Sequence, residues 1–189
     1  FVIVDGVLEI SKRSVTLTSA DAEKVYDGTA LTNDEVTVGG EGFATGEGAT
    51  YDVTGTQTEV GSSANAFTYT LNSNTKADNY TITKVEGTLT VTELTDKVTV
   101  TITEKSGSEK YDGKEKTVAG YDVKISNELY TVDDFTFSGE ATVKGTDAGS
   151  YNMELKPADF TNTNKNFKNV EFVIVDGTLE ISKRTVTLT

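Results

Sequence analysis

The chain has 189 residues, with 30 acidic against 17 basic side chains and a formal net charge of −13. That balance argues against nucleic acid and anionic membrane surfaces as partners, since phosphates are neutralised by Lys and Arg. There is no Cys and no His, which removes disulfides, thiolate nucleophiles, zinc–sulfur sites, the commonest general base and the usual transition-metal ligand.

Thr and Val are frequent and Pro occurs once, a composition that favours strands over helices. No run approaches the ~18 consecutive apolar residues of a membrane span, so no membrane insertion is expected.

In chain order, Phe1–Val4 reads as a strand, Asp5-Gly6 as a tight turn, and Leu8 and Ile10 as the buried face of a second strand. The same segment returns at Phe172. Across Phe1–Thr18 and Phe172–Thr189 only Val7/Thr178 and Ser14/Thr185 differ. A chain that opens and closes on one segment reads as a cut from a longer tandem array. Residues 1–13 are thus expected to be the closing strands of a preceding repeat, and residues 185–189 the first strand of a following one.

Residues 14–95 form the first expected module. Val15 and Leu17 lie on its first strand, and Ser19–Lys24 has room for one helical turn. Tyr26-Asp27-Gly28 follows. Strands are expected near Glu35–Val38, Thr50–Thr54 and Ala66–Leu71, with a Gly-rich loop over Gly39–Gly48. Asn79–Val85 and Thr88–Thr92 are expected to pair as a hairpin across Glu86-Gly87.

Residues 96–184 form the second module. Tyr111-Asp112-Gly113 repeats the earlier tripeptide. Phe135 and Phe137 align with Tyr51 and Val53, Gly145 with Gly61, and Tyr151-Met153-Leu155 with Phe67-Tyr69-Leu71. Asn169–Val175, Asp176-Gly177 and Leu179–Ile181 align with Asn79–Val91. No stretch keeps an apolar i, i+3, i+4, i+7 pattern over ~11 residues, so no long helix is expected.

The expected fold is all-β: two tandem β-sandwich (Ig-like) modules joined end to end by continuous strands. The alternative is a β-grasp-like module with its first and last strands parallel at the centre of a sheet. Apolar positions change parity between Ile10 and Val15, and again between Val91 and Val98. Such a change moves the buried side to the other face. Lys12, Arg13 and Lys97 therefore mark the expected interdomain hinges of a stiff, elongated array, since neither junction carries the Gly/Ser or Pro runs of a flexible linker.

Several motifs in fixed order resemble the MBG/YDG-type tandem repeats of bacterial cell-surface, adhesin-like proteins. They are Lys24–Thr29 (K-V-Y-D-G-T), Lys110–Lys114 (K-Y-D-G-K), Asp147–Tyr151 (D-A-G-S-Y), Asn79–Thr83 (N-Y-T-I-T) and the endings Glu86–Thr92 and Asp176–Ser182. The resemblance implies an extracellular, cell-surface stalk or adhesive repeat anchored through regions outside this chain, and it supplies no catalytic residue.

The candidate site is the duplicated tripeptide: Tyr26, Asp27, Gly28 and Tyr111, Asp112, Gly113. It reads as a structural turn, with Tyr packed over the core edge and Gly supplying φ > 0, or as an exposed aromatic platform. Asp21, Glu23, Asp27, Asp133 and Asp134 could approach calcium, but no D-x-D-x-D-G loop gathers the 6–8 oxygens that ion takes. An Asn–Lys isopeptide bond needs a buried Lys and Asn beside a protonated carboxylic acid, and no lysine sits clearly on an apolar face, Lys84 and Lys144 coming nearest. No cofactor, metal or catalytic residue is expected. The expected function is a non-catalytic, monomeric structural repeat in contact with neighbouring repeats. The alternative is a binding module for host glycan, mucin or surface protein. An open groove of Tyr51, Tyr69, Tyr80 or Tyr121 would favour binding, and burial of all four would favour the spacer.

Overall fold

The computed structural model describes residues 1–188. It divides into two units, Phe1–Thr92 and Glu93–Thr189. The division falls ahead of the expected one after Thr95 because Leu94 is bonded into the second unit. Its N–H donates to the Asn166 carbonyl at 2.8 Å, and its own carbonyl accepts from the Lys168 N–H at 3.0 Å. No described helix is long and apolar enough to cross a membrane.

The first unit holds β1 (Arg13–Ser19), β2 (Ala22–Val25), β3 (Val36–Gly40), β4 (Ala49–Val53), β5 (Gly61–Asn65), β6 (Phe67–Leu71), β7 (Tyr80–Val85) and β8 (Gly87–Thr92). They form sheets of order β3-β1-β7, β2-β8-β5 and β4-β6. β1 runs parallel to β7, with Arg13 opposite Tyr80 and Thr18 opposite Val85. β2 runs parallel to β8, with Ala22 opposite Leu89 and Val25 opposite Thr92. Period-2 alternation sends Val15 and Leu17 of β1 inward, where they join Phe67 and Tyr80. Tyr51, Val53 and Tyr69 pack on this cluster, so sheet β3-β1-β7 lies face to face with the pair β4-β6.

The second unit holds β9 (Val98–Glu104), β10 (Gly107–Lys110), β11 (Lys116–Ala119), β12 (Tyr121–Ile125), β13 (Phe135–Phe137), β14 (Thr142–Gly145), β15 (Gly149–Asn152), β16 (Phe160–Asn162), β17 (Val170–Val175) and β18 (Thr178–Ser182). The same plan recurs: β12-β9-β17 matches β3-β1-β7, β10-β18-β15 matches β2-β8-β5, and β13-β16 matches β4-β6. The pair β11-β14 stands where the first unit has only the bridge between Leu31 and Gln57. Phe160 is the hub of the core, stacked on Phe137 at 4.8 Å and on Phe172 at 5.5 Å, with Tyr121 edge-on at 5.5 Å.

Both units are all-β, in several small sheets consistent with a sandwich. The first strand of each unit runs parallel to the next-to-last and the second to the last, close to the pairing expected of the β-grasp-like alternative, and among the described residues no helix exceeds a single 3₁₀ turn.

Several local expectations are corrected. Glu86-Gly87 and Asp176-Gly177 are bends, not hairpin turns: β7 and β8 pair with β1 and β2, never with each other, and β17 and β18 likewise pair with β9 and β10. Ser19–Lys24 makes no helical turn, since Ala22–Val25 is the strand that accompanies β8 past this bend. Tyr151 sits opposite Leu179 as Ser63 sits opposite Leu89, so Tyr151 is the counterpart of Ser63 and not of Phe67. Phe160, opposite Phe137 as Phe67 is opposite Val53, fills the Phe67 position. Gly149, not Gly145, takes the place of Gly61.

Residues 1–12 form no strand and are exposed, although Phe172–Ser182 carries nearly the same sequence in β17 and β18. The difference is one of partners: β17 is held by β9, and β18 by β10 and β15, whereas the copy at residues 1–12 has no described strand beside it. Residues 183–188 likewise carry no strand, and Thr189, the end of the expected following strand, lies outside the described residues.

Candidate functional site

Each Tyr-Asp-Gly tripeptide follows the strand that runs parallel to the last strand of its unit. The Tyr26 N–H donates to the Thr92 carbonyl at 2.9 Å, and the Tyr111 N–H to the Ser182 carbonyl at 2.9 Å. The tyrosine backbone therefore fastens the end of β8 or β18. The chain then turns back through Gly28 at φ 77° and Gly113 at φ 80°, the left-handed region that glycine tolerates without a Cβ clash.

The aspartates close these turns. Asp27 Oδ1 accepts the Thr29 N–H at 2.9 Å, the Thr29 hydroxyl at 2.8 Å and the Lys24 ammonium at 2.6 Å. Lys24 Nζ also reaches the Thr29 carbonyl at 2.6 Å. The Lys24 hydrogen bond, followed by those from the Thr29 N–H and hydroxyl, holds the Asp27 carboxyl down at about 2. In the second unit Asp112 Oδ1 accepts the Lys114 N–H at 3.0 Å and Oδ2 pairs with Lys116 Nζ at 2.9 Å. Lys116 first, then the Lys114 N–H, lowers the Asp112 carboxyl, and Asp112 in turn raises the Lys116 ammonium.

Tyr26 is half-buried, while Tyr111 is exposed. Tyr111 lines an open cleft of about 440 Å³ with Asp147, Ala148, Lys183, Arg184 and Val186. Tyr51 and Tyr69 pack against the core cluster and Tyr80 belongs to it, while Tyr121 lies edge-on to Phe137 and Phe160. These four tyrosines form no open groove.

The other sequence candidates hold the fold together locally. Asp134 Oδ2 accepts the Thr131 N–H at 2.7 Å and Oδ1 accepts Asn164 Nδ2 at 2.8 Å, capping the turn that enters β13. Asp21 Oδ1 accepts the Thr88 N–H at 2.6 Å. The Gly-rich loop is stitched to the start of β1: Glu41 Oε2 accepts the Ser14 N–H at 2.8 Å, and Arg13 Nε donates to the Gly42 carbonyl at 2.7 Å. Arg13 is thus bound into the first unit. Lys97 is ion-paired with Glu171 of the second, and Lys12 lies in the strandless stretch. Lys84 Nζ meets the Phe67 carbonyl at 2.8 Å and Glu86 at 2.7 Å, and Lys144 meets Glu115 at 3.7 Å, so neither lysine has an asparagine side chain as its bonded partner.

A second pair of equivalent positions was not singled out from the sequence: Ser19 with Gly87, and Glu104 with Gly177. Ser19 and Glu104 end β1 and β9 on the inward face, and both are buried, Glu104 at 3% exposure. Ser19 Oγ accepts the Gly87 N–H at 2.9 Å and donates to the Asn65 carbonyl at 2.6 Å. Glu104 Oε2 accepts the Gly177 N–H at 2.7 Å and Oε1 the Leu155 N–H at 2.7 Å. The glycines are required for close approach. A Cβ on Gly87 would stand 2.5 Å from the Ser19 carbonyl oxygen, and one on Gly177 would stand 2.7 Å from the Glu104 carbonyl oxygen. These pairs key the bend at which the chain passes from one sheet to the next. Alternation along V-T-L-T-S and V-T-I-T-E already puts both polar residues on the apolar face, which is the sequence signal for them.

Among known proteins, residues 97–183 match the family model of the MBG domain. No curated protein and no solved structure matches the chain at a significant level.

Proposed function

We propose, from the match of residues 97–183 to the MBG domain, which occurs in repeats of bacterial surface proteins, that the chain is a non-catalytic structural repeat. It would act as a stalk segment of an extracellular surface protein, contributing to adhesion by carrying other parts of the molecule outward. The observation that carries this reading is that Tyr80 is buried and Tyr51, Tyr69 and Tyr121 are partly buried against the cores, so these four tyrosines do not together line an open groove. The repetition of one sheet plan in both units supports it further, because a spacer works at any copy number. The carboxylates of both Tyr-Asp-Gly turns are occupied by their own loops, which fits a fastening role.

One feature favours a binding module instead: exposed Tyr111 beside Lys183 and Arg184 in an open cleft. The two readings separate in a binding assay of the whole chain on mucin and on a glycan array. The spacer reading expects no saturable binding and no difference between the parent and Tyr111→Ala. Saturable binding that Tyr111→Ala abolishes would replace it with the binding module.

A further inference from the structure

Each unit sets its first two strands side by side and parallel with its last two, the first against the next-to-last and the second against the last, and this fixes how it meets a pull along the chain. The first unit begins at the Arg13 end of β1 and ends at the Thr92 end of β8. Arg13 stands opposite Tyr80, and Thr92 stands opposite Val25. The Arg13 and Thr92 ends therefore lie at the outer ends of two successive parallel ladders, β1 with β7 and, past the bend, β2 with β8. Tension draws β1 and β2 one way and β7 and β8 the other. The ladder bonds, evenly spaced in a parallel pair, are then loaded together in shear and are not peeled one after another.

We propose that each unit is a tension clamp, so that bearing load is a function of this chain. The inference deepens the spacer reading. It rests on that reading for the source of the load, and on strand topology alone for the response. The ladder between β1 and β7 pairs six residues with six, and that between β2 and β8 four with four. The second unit repeats both lengths, from Val98 opposite Val170 to Lys110 opposite Ser182. It adds the Leu94 bonds to Asn166 and Lys168, ahead of β9. At the bend, sliding would also tear the Gly87 and Gly177 N–H groups from Ser19 and Glu104. Forced rupture is governed by the unfolding rate and not by equilibrium stability, so the direction of pulling must matter even though the folded state is the same.

The native chain has no Cys, so engineered thiols are unique handles for single-molecule pulling. In the full chain, Lys12→Cys with Glu93→Cys loads the first unit along its ladder. Lys12→Cys with Asn79→Cys loads the same unit across one end of the ladder, since Lys12 and Asn79 line one cleft. At equal loading rate, rupture between positions 12 and 93 is expected at several-fold higher force than between 12 and 79. Equal forces, or the reverse order, overturn the clamp. If Asn79→Cys destabilises the unit, Asp78→Cys pulls from the same turn and gives the same comparison. Saturable glycan or mucin binding would remove the spacer reading and leave this comparison standing, while equal forces would remove the clamp and leave the binding test to decide the spacer.

Discussion

Glu104→Gln is the substitution with the most worked-out consequence. The side chain keeps its shape, so no cavity opens. Both carboxylate oxygens are engaged, Oε1 by the Leu155 N–H and Oε2 by the Gly177 N–H, each at 2.7 Å. A carboxylate accepts at both atoms, but an amide accepts at one and donates at the other. In Gln, one backbone N–H keeps a neutral acceptor while the other faces an NH₂ group at a site that is 3% exposed. Losing one charge-assisted bond and stranding its buried donor costs about 2–4 kcal/mol. For a unit of this size each kcal/mol moves the midpoint by roughly 4–8 °C, so the second unit's thermal transition should fall by about 8–32 °C. Differential scanning calorimetry of the full chain reads this, with the first unit as internal reference. Hydrogen exchange should show lost protection at Gly177 or Leu155 and unchanged protection in β1 and β7. A shift under about 2 °C, well below the range expected for a lost buried bond, would refute the assignment of Glu104 as the key of this bend.

Further outcomes follow from the same geometry. Gly87→Ala and Gly177→Ala should each destabilise their unit by more than about 2 kcal/mol, because the new methyl meets backbone carbonyls that cannot swing aside. Gly6→Ala, at the same place in the duplicated segment but with nothing within 4 Å, should leave the melting profile unchanged. The Asp27 carboxyl is held at about 2 in the folded chain. Its contribution is therefore present above the ordinary carboxylate range near ~3.9 and fades as pH falls towards about 2. The stability difference between the parent and Asp27→Asn, followed by acid titration, should shrink through that window. Burial, assisted by the Asp134 charge, pushes the Tyr130 hydroxyl up to about 12. A raised pKa contributes stability below the ordinary value near ~10 that is lost as pH climbs towards 12, and Tyr130→Phe should remove that alkaline dependence in a pH-resolved denaturant series.

Much of the fold was legible because alternation survives wherever a strand has one wet face. Val15 and Leu17, then Val98, Val100 and Ile102, and Leu179 with Ile181 are all buried as their parity predicts. The Tyr-Asp-Gly turns were legible for a local reason: Gly28 and Gly113 do adopt positive φ. The misreadings have a local reason too. Glu86-Gly87 and Asp176-Gly177 carry the residue pair of a hairpin turn. Here, however, glycine serves by lacking a Cβ against carbonyls of the neighbouring chain segment, which is a long-range fact. The parallel pairing that follows links residues 67 apart, such as Arg13 and Tyr80, and nothing in a local window specifies it. The offset between the modules failed at Tyr151 because Phe160 lies further along the chain than any fixed spacing from Phe67 allows, beyond an irregular stretch in which Glu154 takes a φ of 64°. Buried Glu104 was overlooked because a charged residue at a strand end is usually solvated.

The claim on which the rest depends is that the first and next-to-last strands of each unit lie parallel in the stated register. Thr16 faces Thr83 across the first unit's ladder, and Thr101 faces Val173 across the second's. Neighbouring strands lie about 4.8 Å apart, within reach of a disulfide, and the absence of native Cys makes each engineered pair unambiguous. Mild oxidation of Thr16→Cys/Thr83→Cys and of Thr101→Cys/Val173→Cys should close one intramolecular disulfide in each folded chain and raise its unfolding midpoint. Thiols that stay reduced and reactive in both folded variants would contradict the parallel ladder and the account built on it.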